Sequence, residues 1–229
     1  MIQNNFDIIW KHILTILNKK KYVFNKRTNT KVKEDFGYSF CWDLRYLPLS
    51  NIKKINGYVS AAELAWSLSG IKSIGWLSKY TKIWNLFTNQ KGEVLTAYGF
   101  RWRHQFGIDQ IKNIISKLKK DSSSRQQVLM NWDPRVDNII PAKNIPCPVC
   151  VFICIVNGKL NLHLSMRSND TVLGMPYDLA MYSLLGNYFA NKLKVKVGVL
   201  FYSIGNLHIY KSSEFIVKKI LSYPIKNIT

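Results

Sequence analysis

Side chains that could bind a nucleotide are concentrated in residues 166–185, MRSNDTVLGMPYDLAMYSLL. Here Arg167, Ser168, Asn169, Asp170 and Asp178 lie in or just after a short loop that leads into an apolar helix. An arginine and a serine can bind a phosphate, while amide and carboxyl groups can bind the edge of a base. The alternative is structural, because an aspartate such as Asp178 could cap the helix that follows.

Cys147 stands between two prolines, immediately before a predicted strand. A single cysteine is often no more than a small core residue. A nucleophilic cysteine instead needs positive charge nearby, which lowers the pKa of its thiol. Arg167 follows the second strand of a predicted hairpin, and antiparallel pairing brings it alongside the residues near Cys147. The sequence therefore offers a nucleophile with a cationic neighbour.

Three further polar residues have two readings each. Glu63, in AAELAWSL, lies either at a helix margin or in a pocket where burial raises its pKa and suits it to proton transfer. His208 and Tyr210, in NLHIY, alternate on a predicted strand and could point to one face of a site. They could equally be core polar groups with satisfied hydrogen bonds.

The clearest structural element is a hairpin, because residues 149–156 and 159–166 flank Asn157-Gly158, a strong two-residue turn signal. Hydrophobic spacing predicts helices at residues 7–19, 61–68, 108–119 and 179–193, and further strands at 38–44, 128–132 and 195–204. We expect the basic segment 19–31 to be a loop and residues 84–98 to be rich in loop. Helices and strands mix without strict alternation, which predicts one α+β domain.

Composition narrows the class of protein. The chain has 229 residues, of which 47% are hydrophobic, so it can build a core and is not a disordered protein. No apolar run is long enough to cross a bilayer and no signal peptide is apparent, so we expect a cytosolic protein without a membrane partner, in the host cytoplasm if the chain is viral. The net charge of +20 predicts an anionic partner. Lysines are scattered rather than arranged in a stripe, which favours phosphorylated small molecules over nucleic acid.

The four cysteines do not favour a disulfide framework or a metal site. A cytosolic chain keeps its thiols reduced. Cys147, Cys150 and Cys154 have a spacing that invites a metal, but the intervening residues are strand formers that put Cys150 and Cys154 on one face and Cys147 on the other. A closed site would also need a distant fourth ligand. We therefore expect no metal.

Taken in order, the segments CPVC, MRSNDTVLGMPYDLAMYSLL and IGNLHIY resemble the thymidylate synthase superfamily. The upstream segments AAELAWSLSG, AYGFRWR and DSSSRQQVLMNWDP agree with it. The resemblance extends from Arg27 to Tyr210 and preserves the order of the motifs, which is more specific than any single motif. It implies a thymidylate-synthase-like mixed sheet packed with helices, one domain over residues 1–229, and a dimer formed through the sheet.

The resemblance also implies catalytic and cofactor-binding roles. Cys147 matches the nucleophile that adds to C6 of a pyrimidine, and Tyr98 matches the tyrosine beside it. Glu63 matches the glutamate that organises water and proton transfer, at the border of the folate site. Asp170 matches the aspartate that binds the pterin, and Trp84 falls where the family packs its cofactor, 5,10-methylenetetrahydrofolate.

Other matches concern a pyrimidine nucleoside monophosphate. Arg27, Arg167 and Ser168 match residues that bind its phosphate. Arg125, in DSSSRQQ, resembles an arginine that each subunit of a homodimer donates to its partner's phosphate site. His208 and Tyr210 match residues that contact the sugar hydroxyl.

Asp178 departs from the synthase pattern, which has asparagine in the segment matched by MPYDLA. Uracil presents a donor at N3 and an acceptor at O4, which an amide can match. Cytosine presents an acceptor at N3 and a donor at N4, and a carboxyl group that holds a proton can pair with both. Aspartate here resembles the deoxycytidylate and cytidylate 5-hydroxymethylases of the same superfamily.

Three further departures bear on the site. Pro148 follows the nucleophile where synthases usually have histidine, and Gln126 replaces a second interface arginine. The sequence ends at KKILSYPIKNIT, so we expect a domain shortened at its carboxyl end, with either a site wetter than one closed by a tail or a weakened or lost folate site.

These features predict an enzyme that converts (d)CMP to 5-hydroxymethyl-(d)CMP through a Cys147–C6 adduct, with water as the final acceptor and Asp178 selecting cytosine. Two alternatives remain at this point. One is thymidylate synthase acting on dUMP. The other is a non-catalytic relative that binds nucleotides or RNA, which the basic charge would suit.

Overall fold

The computed structural model describes residues 2–138 and 144–224. Over these ranges the strands are β1 (Ile2–Gln3), β2 (Val23–Asn25), β3 (Thr30–Asp43), β4 (Gln127–Met130), β5 (Pro148–Val156), β6 (Lys159–Asp170) and β7 (Lys196–Tyr210). The α-helices are α1 (Phe6–Asn18), α2 (Gly57–Ser69), α3 (Tyr98–Phe100), α4 (Gln110–Lys120), α5 (Pro134–Asp137), α6 (Met175–Leu193) and α7 (Glu214–Ser222). Short 3-10 helices cover Leu77–Lys79, Ile83–Phe87 and Lys211–Ser213.

One mixed sheet of seven strands organises the described residues, in the order β1-β3-β7-β6-β5-β4, with β2 paired to β3. β6 and β7 run parallel, while β5 pairs antiparallel with β6 and β3 pairs antiparallel with β7. The mixed pairing and the interspersed helices confirm the predicted α+β class.

The two faces of this sheet differ in burial. Along β6 and β7, residues such as Leu162, Leu164, Leu200 and Tyr202 are buried against the helices. Their neighbours in sequence point the other way and are half-exposed. The alternation shifts by one residue between Met166 and the buried Asn169. This shift turns Asn169 toward the helix-covered side at the end of β6.

Two helices on the covered side position most of the polar residues. α6 begins beside Pro176, whose fixed φ suits a helix start, and it is apolar nearly all round because it runs through the core. α2 starts at the Asn56 cap, whose side chain accepts a hydrogen bond from the amide of Tyr58, and ends at Gly70 in the left-handed region. Gly99 lets the start of α3 lie directly on α2, since an added Cβ would be 2.0 Å from the carbonyl oxygen of Ser67.

Most predicted elements are confirmed, with bounds that differ in physically clear ways. The hairpin turns at Asn157-Gly158, both with positive φ. α2 and α6 each begin four residues before the predicted start, since α2 is capped by Asn56 and α6 starts with Pro176 in its first turn. The basic segment was wrongly predicted to be a loop, since β2 and the start of β3 form a hairpin there. Residues 84–98 are mostly loop and turn, although Trp84 lies in a 3-10 helix.

Among the helices in the two described ranges, none combines the length and the apolar character that crossing a bilayer requires.

Candidate active site

A cavity of about 390 Å³ lies between α2, the 3-10 helix Ile83–Phe87 and the first turns of α6. Glu63, Trp84, Tyr98 and Asp178, four residues singled out from the sequence, line its walls. They come from four different elements, so only the fold brings them together. Its volume is in the range of small-molecule binding sites.

Asp178 lies in the first turn of α6, with its carboxyl group on the cavity. Its Oδ2 accepts a hydrogen bond of 3.1 Å from Nδ2 of Asn169. Burial, with the negative charges of Glu63 and Asp170, raises the pKa of Asp178 to about 8. The helix-cap interpretation is wrong, since α6 starts after Gly174 and uses no side-chain cap. At neutral pH this carboxyl group mostly holds its proton.

Glu63 projects from α2 toward the same space. Its Oε1 accepts a hydrogen bond of 2.7 Å from Nε1 of Trp84. Burial raises the pKa of Glu63 to about 7, although the Trp84 donor lowers it. The prediction that Glu63 lies in a pocket that raises its pKa is therefore confirmed, and the alternative position at an exposed helix margin is not. A carboxyl group that titrates near neutrality can both give and take a proton during turnover.

Tyr98 connects this pair to the cysteine. Its ring meets Trp84 edge to face, with centroids 5.6 Å apart. Burial raises the pKa of Tyr98 well above its usual value, and nearby Cys147, Asp178 and Glu63 raise it further. The phenol therefore stays protonated and is a permanent hydrogen-bond donor among these acidic groups.

Cys147 precedes β5, and Arg167 follows the point where β6 pairs with it. The amide nitrogen of Arg167 donates to the carbonyl oxygen of Cys147 at 2.9 Å, which confirms that the hairpin brings the two together. The guanidinium also donates from Nε to the carbonyl of Pro146 at 2.9 Å and from Nη2 to that of Ile145 at 2.8 Å. Its Cζ lies 5.8 Å from the ring centroid of Trp132, within reach of a cation–π contact.

The expected lowering of the Cys147 pKa is not found. Burial raises the pKa of the thiol and outweighs the positive charges of Arg167 and Arg27, which lower it. The cationic neighbours are present, but in the free protein desolvation has the larger effect.

The residues matched to phosphate and sugar binding lie beside the cysteine, with one exception. Arg27 is exposed and close enough to lower the pKa of Cys147, His208 and Tyr210. The rings of His208 and Tyr210 meet edge to face at 5.1 Å, as expected for alternate residues of one strand. Ser168 is half-buried next to Arg167 on β6. Arg125 is the exception, because it is exposed before β4 at the edge of the sheet and outside the cavity wall.

Asp170 and Asn169 end β6. Oδ1 of Asp170 accepts hydrogen bonds from the amides of Val172 and Leu173, at 2.9 and 3.0 Å, which fixes the loop that leads to α6. Asn169 is 1% exposed, and its Nδ2 donates to Asp178 and to the hydroxyl of Tyr202. Both residues therefore border Asp178 from the sheet side.

Comparison with known proteins agrees with this arrangement. Residues 8–227 match the family profile described as thymidylate synthase. The chain belongs to the thymidylate synthase family. It is similar to a thymidylate synthase of Francisella tularensis subsp. holarctica, with 34% identity over 216 residues that cover 88% of this chain and 79% of the relative. It is equally similar to a thymidylate synthase of Buchnera aphidicola subsp. Acyrthosiphon pisum, with 34% identity over 222 residues that cover 93% of this chain and 82% of the relative.

The thymidylate synthase family uses 5,10-methylenetetrahydrofolate, and the cavity has walls that suit it. Trp84, Phe87 and Tyr177 offer aromatic surface to a planar ring system. Lys53 offers a cation to a carboxylate at the rim. Burial lowers the pKa of Lys53 while the charge of Asp170 raises it, so these two opposite charges are neighbours at the border of the cavity.

Several members of this site carry no clear sequence signal. Lys53 is one of 33 lysine and arginine residues, and nothing local distinguishes it. Tyr202 sits on the buried face of a predicted strand, where an aromatic residue is ordinary. Tyr182 could have been found, because it follows Asp178 by one helical turn, and the structure buries it near Asp178 and Cys147.

Proposed function

We propose that this chain is a folate-dependent transferase that hydroxymethylates C5 of (d)CMP through a covalent bond between Cys147 and C6. The observation that carries the proposal is the Asp178 carboxyl group, which lies on the cavity with its pKa raised to about 8. A neutral carboxyl group at neutral pH is a donor and an acceptor together. It can donate to N3 of cytosine and accept from the amino group at C4.

Attack on C6 is assigned to Cys147. Its thiol has a high pKa in the free protein, so the thiolate must be favoured as the nucleotide binds. Arg167 and Arg27 supply the positive charge that stabilises it. Both are also assigned to the nucleotide phosphate, together with Ser168, while His208 and Tyr210 are assigned to the sugar hydroxyl.

Glu63 is assigned to the proton transfers at C5 and C4, because its pKa of about 7 allows it to change protonation state during turnover. Tyr98 is assigned the role of a hydrogen-bond donor near Glu63 and Cys147, since its raised pKa keeps its proton in place. Bound 5,10-methylenetetrahydrofolate supplies the one-carbon unit, and Asp170 and Trp84 are assigned to holding it. Water enters from the open side of the cavity and completes the hydroxymethyl group.

A second candidate is methylation of dUMP, which the names of the relatives favour. Those relatives are called thymidylate synthases, and the shared family fits either base. This candidate is opposed by the fit of the neutral Asp178 carboxyl group to cytosine, so the substrate must be tested directly. A third possibility, a non-catalytic relative that binds RNA, is favoured by the charge of +20 alone.

The decisive measurement is release of tritium from nucleotides labelled at C5. We expect release from dCMP or CMP in the presence of 5,10-methylenetetrahydrofolate, and formation of the 5-hydroxymethyl nucleotide. Release from dUMP alone would contradict the proposal and favour a synthase. No release from any nucleotide, together with RNA binding that weakens steeply with salt, would favour the binding protein.

We also propose that the chain acts as a homodimer formed through the half-exposed face of the sheet. Phe152 of β5, His163 of β6 and Phe201 of β7 lie on that face, and the rings of His163 and Phe201 are in edge contact at 4.9 Å. A partly apolar sheet face is a natural contact surface. Arg125 stands exposed at the adjoining edge, where it could reach a partner's phosphate site.

Mixing two inactive variants tests the shared site. If Arg125 serves the partner, dimers of R125E with C147A contain one site with both changes and one with neither. Random pairing should then restore about a quarter of wild-type turnover, since half of the dimers are mixed and each has one intact site. If Arg125 serves its own subunit, mixing restores nothing, and a monomer in sedimentation would contradict the dimer itself.

A further inference from the structure

Either oxygen of the neutral Asp178 carboxyl group can carry the proton, and the position of the proton decides which base the group pairs with. Its two oxygens can exchange the roles of donor and acceptor when the proton moves from one to the other. In one form it pairs with N3 and the amino group of cytosine, and in the other with N3–H and O4 of uracil. A protonated carboxylate alone therefore does not choose between the two bases. Selection needs a neighbour that makes the two oxygens different.

Asn169 contacts one of the two oxygens. Its Nδ2 donates to Oδ2 of Asp178 at 3.1 Å, and no hydrogen bond to Oδ1 is found among the residues that the structure describes. A carbonyl oxygen accepts from an amide better than a hydroxyl oxygen does, so this donor favours Oδ2 as the acceptor and leaves the proton on Oδ1.

The amide of Asn169 is held so that it keeps this orientation. The second hydrogen of Nδ2 goes to the hydroxyl of Tyr202 at 3.0 Å. Tyr202 is fully buried, and its ring stacks on Phe40 with centroids 5.3 Å apart and planes 11° from parallel. With Asn169 only 1% exposed, water has little access to this contact.

Stability alone gives a poor reason for an amide at this position. Within the described ranges, Oδ1 of Asn169 is buried without a hydrogen-bond partner, and such a group is costly to the fold. An apolar side chain of similar size would avoid that cost. The value of Asn169 therefore lies in its donors.

We propose that Asn169 is a positioning residue for base selection, which fixes the proton on the Asp178 oxygen that it does not touch; with that oxygen facing N3 of the base, the pair is selective for cytosine. This inference rests on the proposed function, because it assumes that Asp178 reads the base. It assigns Asn169 a role that acts through Asp178 instead of through contact with the nucleotide.

The test compares kcat/KM for dCMP and dUMP in the wild type, N169L and Y202F. N169L removes the donor to Asp178 at nearly constant volume, and we expect the dCMP-to-dUMP ratio to fall at least about tenfold. Y202F removes one of the contacts that hold the Asn169 amide but keeps the donor to Asp178, so its ratio should fall by less than that of N169L. Thermal melting checks that each variant is folded, and N169S replaces N169L if the leucine variant does not fold.

The pH profile separates this role from a packing effect. The Asn169 hydrogen bond lowers the pKa of Asp178, so its loss should raise that pKa further. The alkaline fall in dCMP turnover should therefore move to higher pH in N169L and stay in place in Y202F. An unchanged ratio in N169L, or equal losses of selectivity in N169L and Y202F, would overturn the inference. A wild type that prefers dUMP would refute the proposed function together with the cytosine selectivity assigned to Asn169, whereas a wild type that prefers dCMP with an unchanged ratio in N169L would refute the Asn169 inference alone.

Discussion

Replacing Cys147 with alanine is expected to reduce turnover at least about 10⁴-fold, because removing a nucleophile that acts through a covalent intermediate eliminates the main pathway. Among the described residues, the groups that affect the Cys147 pKa are arginines and carboxyl groups, which do not replace a thiol nucleophile. The measurement is tritium release from C5 of the preferred nucleotide, together with the mass of the intact protein after incubation with a 5-fluoro analogue and the folate. The wild type should gain the mass of the adduct, and C147A should not.

C150A is the matched control for this experiment. Cys150 lies three residues further along, is half-buried, and carries a pKa that burial also raises, but it points to the half-exposed face of the sheet. We expect C150A to keep its turnover within about threefold of the wild type, since the change removes one sulfur atom and lies outside the cavity wall. Equal losses in C147A and C150A would point to a folding defect, and full turnover in C147A would exclude the covalent route.

The second large effect is expected from D178N. In the orientation in which its oxygen accepts from N3–H of uracil and its amide nitrogen donates to O4, an asparagine sets an acceptor against N3 of cytosine and a donor against the cytosine amino group, whereas a neutral carboxyl group can donate to that N3. Losing one bidentate pairing and gaining the other should each contribute about 1–3 kcal/mol, so the dCMP-to-dUMP ratio should fall by about 10³-fold. Steady-state kcat/KM for both nucleotides measures it directly.

The pH profile provides the control for D178N. Because the neutral form of Asp178 pairs with cytosine and its pKa is about 8, wild-type dCMP turnover should fall as the pH rises through that value. D178N has no proton to lose there, so its dUMP turnover should not show that fall. A wild type that already favours dUMP, or a D178N variant with an unchanged ratio, would refute the role of Asp178 in choosing the base.

How far the sequence predicts this site depends on the kind of contact. The hairpin signal at Asn157-Gly158 predicts that Arg167 returns to Cys147, and the structure confirms it through a backbone hydrogen bond. Such pairing follows from local turn chemistry and strand period, which a single sequence carries. Local sequence patterns single out Glu63 and Asp178, the family resemblance adds Trp84 and Tyr98, and all four line one cavity.

The effects of burial and of distant charges on the site could not be predicted from the sequence. The Cys147 pKa rises instead of falling, because the packing around the thiol outweighs its two arginines. The hydrogen bond from Asn169 to Asp178 depends on a one-residue shift in the alternation of buried and exposed residues near the end of β6. No pattern in the sequence predicts that shift. This pKa and this hydrogen bond depend on which groups pack together and exclude water. The whole fold determines that packing.

The guanidinium of Arg167 has a consequence for how substrate binds. Two of its five N–H groups already bind the carbonyls of Pro146 and Ile145, and two of the other three lie on the edge formed by Nη1 and Nη2. That edge can still present two parallel donors to a phosphate while the other donors hold the segment before Cys147. Part of the conformational entropy of this segment is therefore lost when the chain folds, before any nucleotide arrives. A nucleoside without a phosphate would meet the cysteine in the same orientation as a nucleotide does, and the phosphate would add affinity without having to assemble the nucleophile.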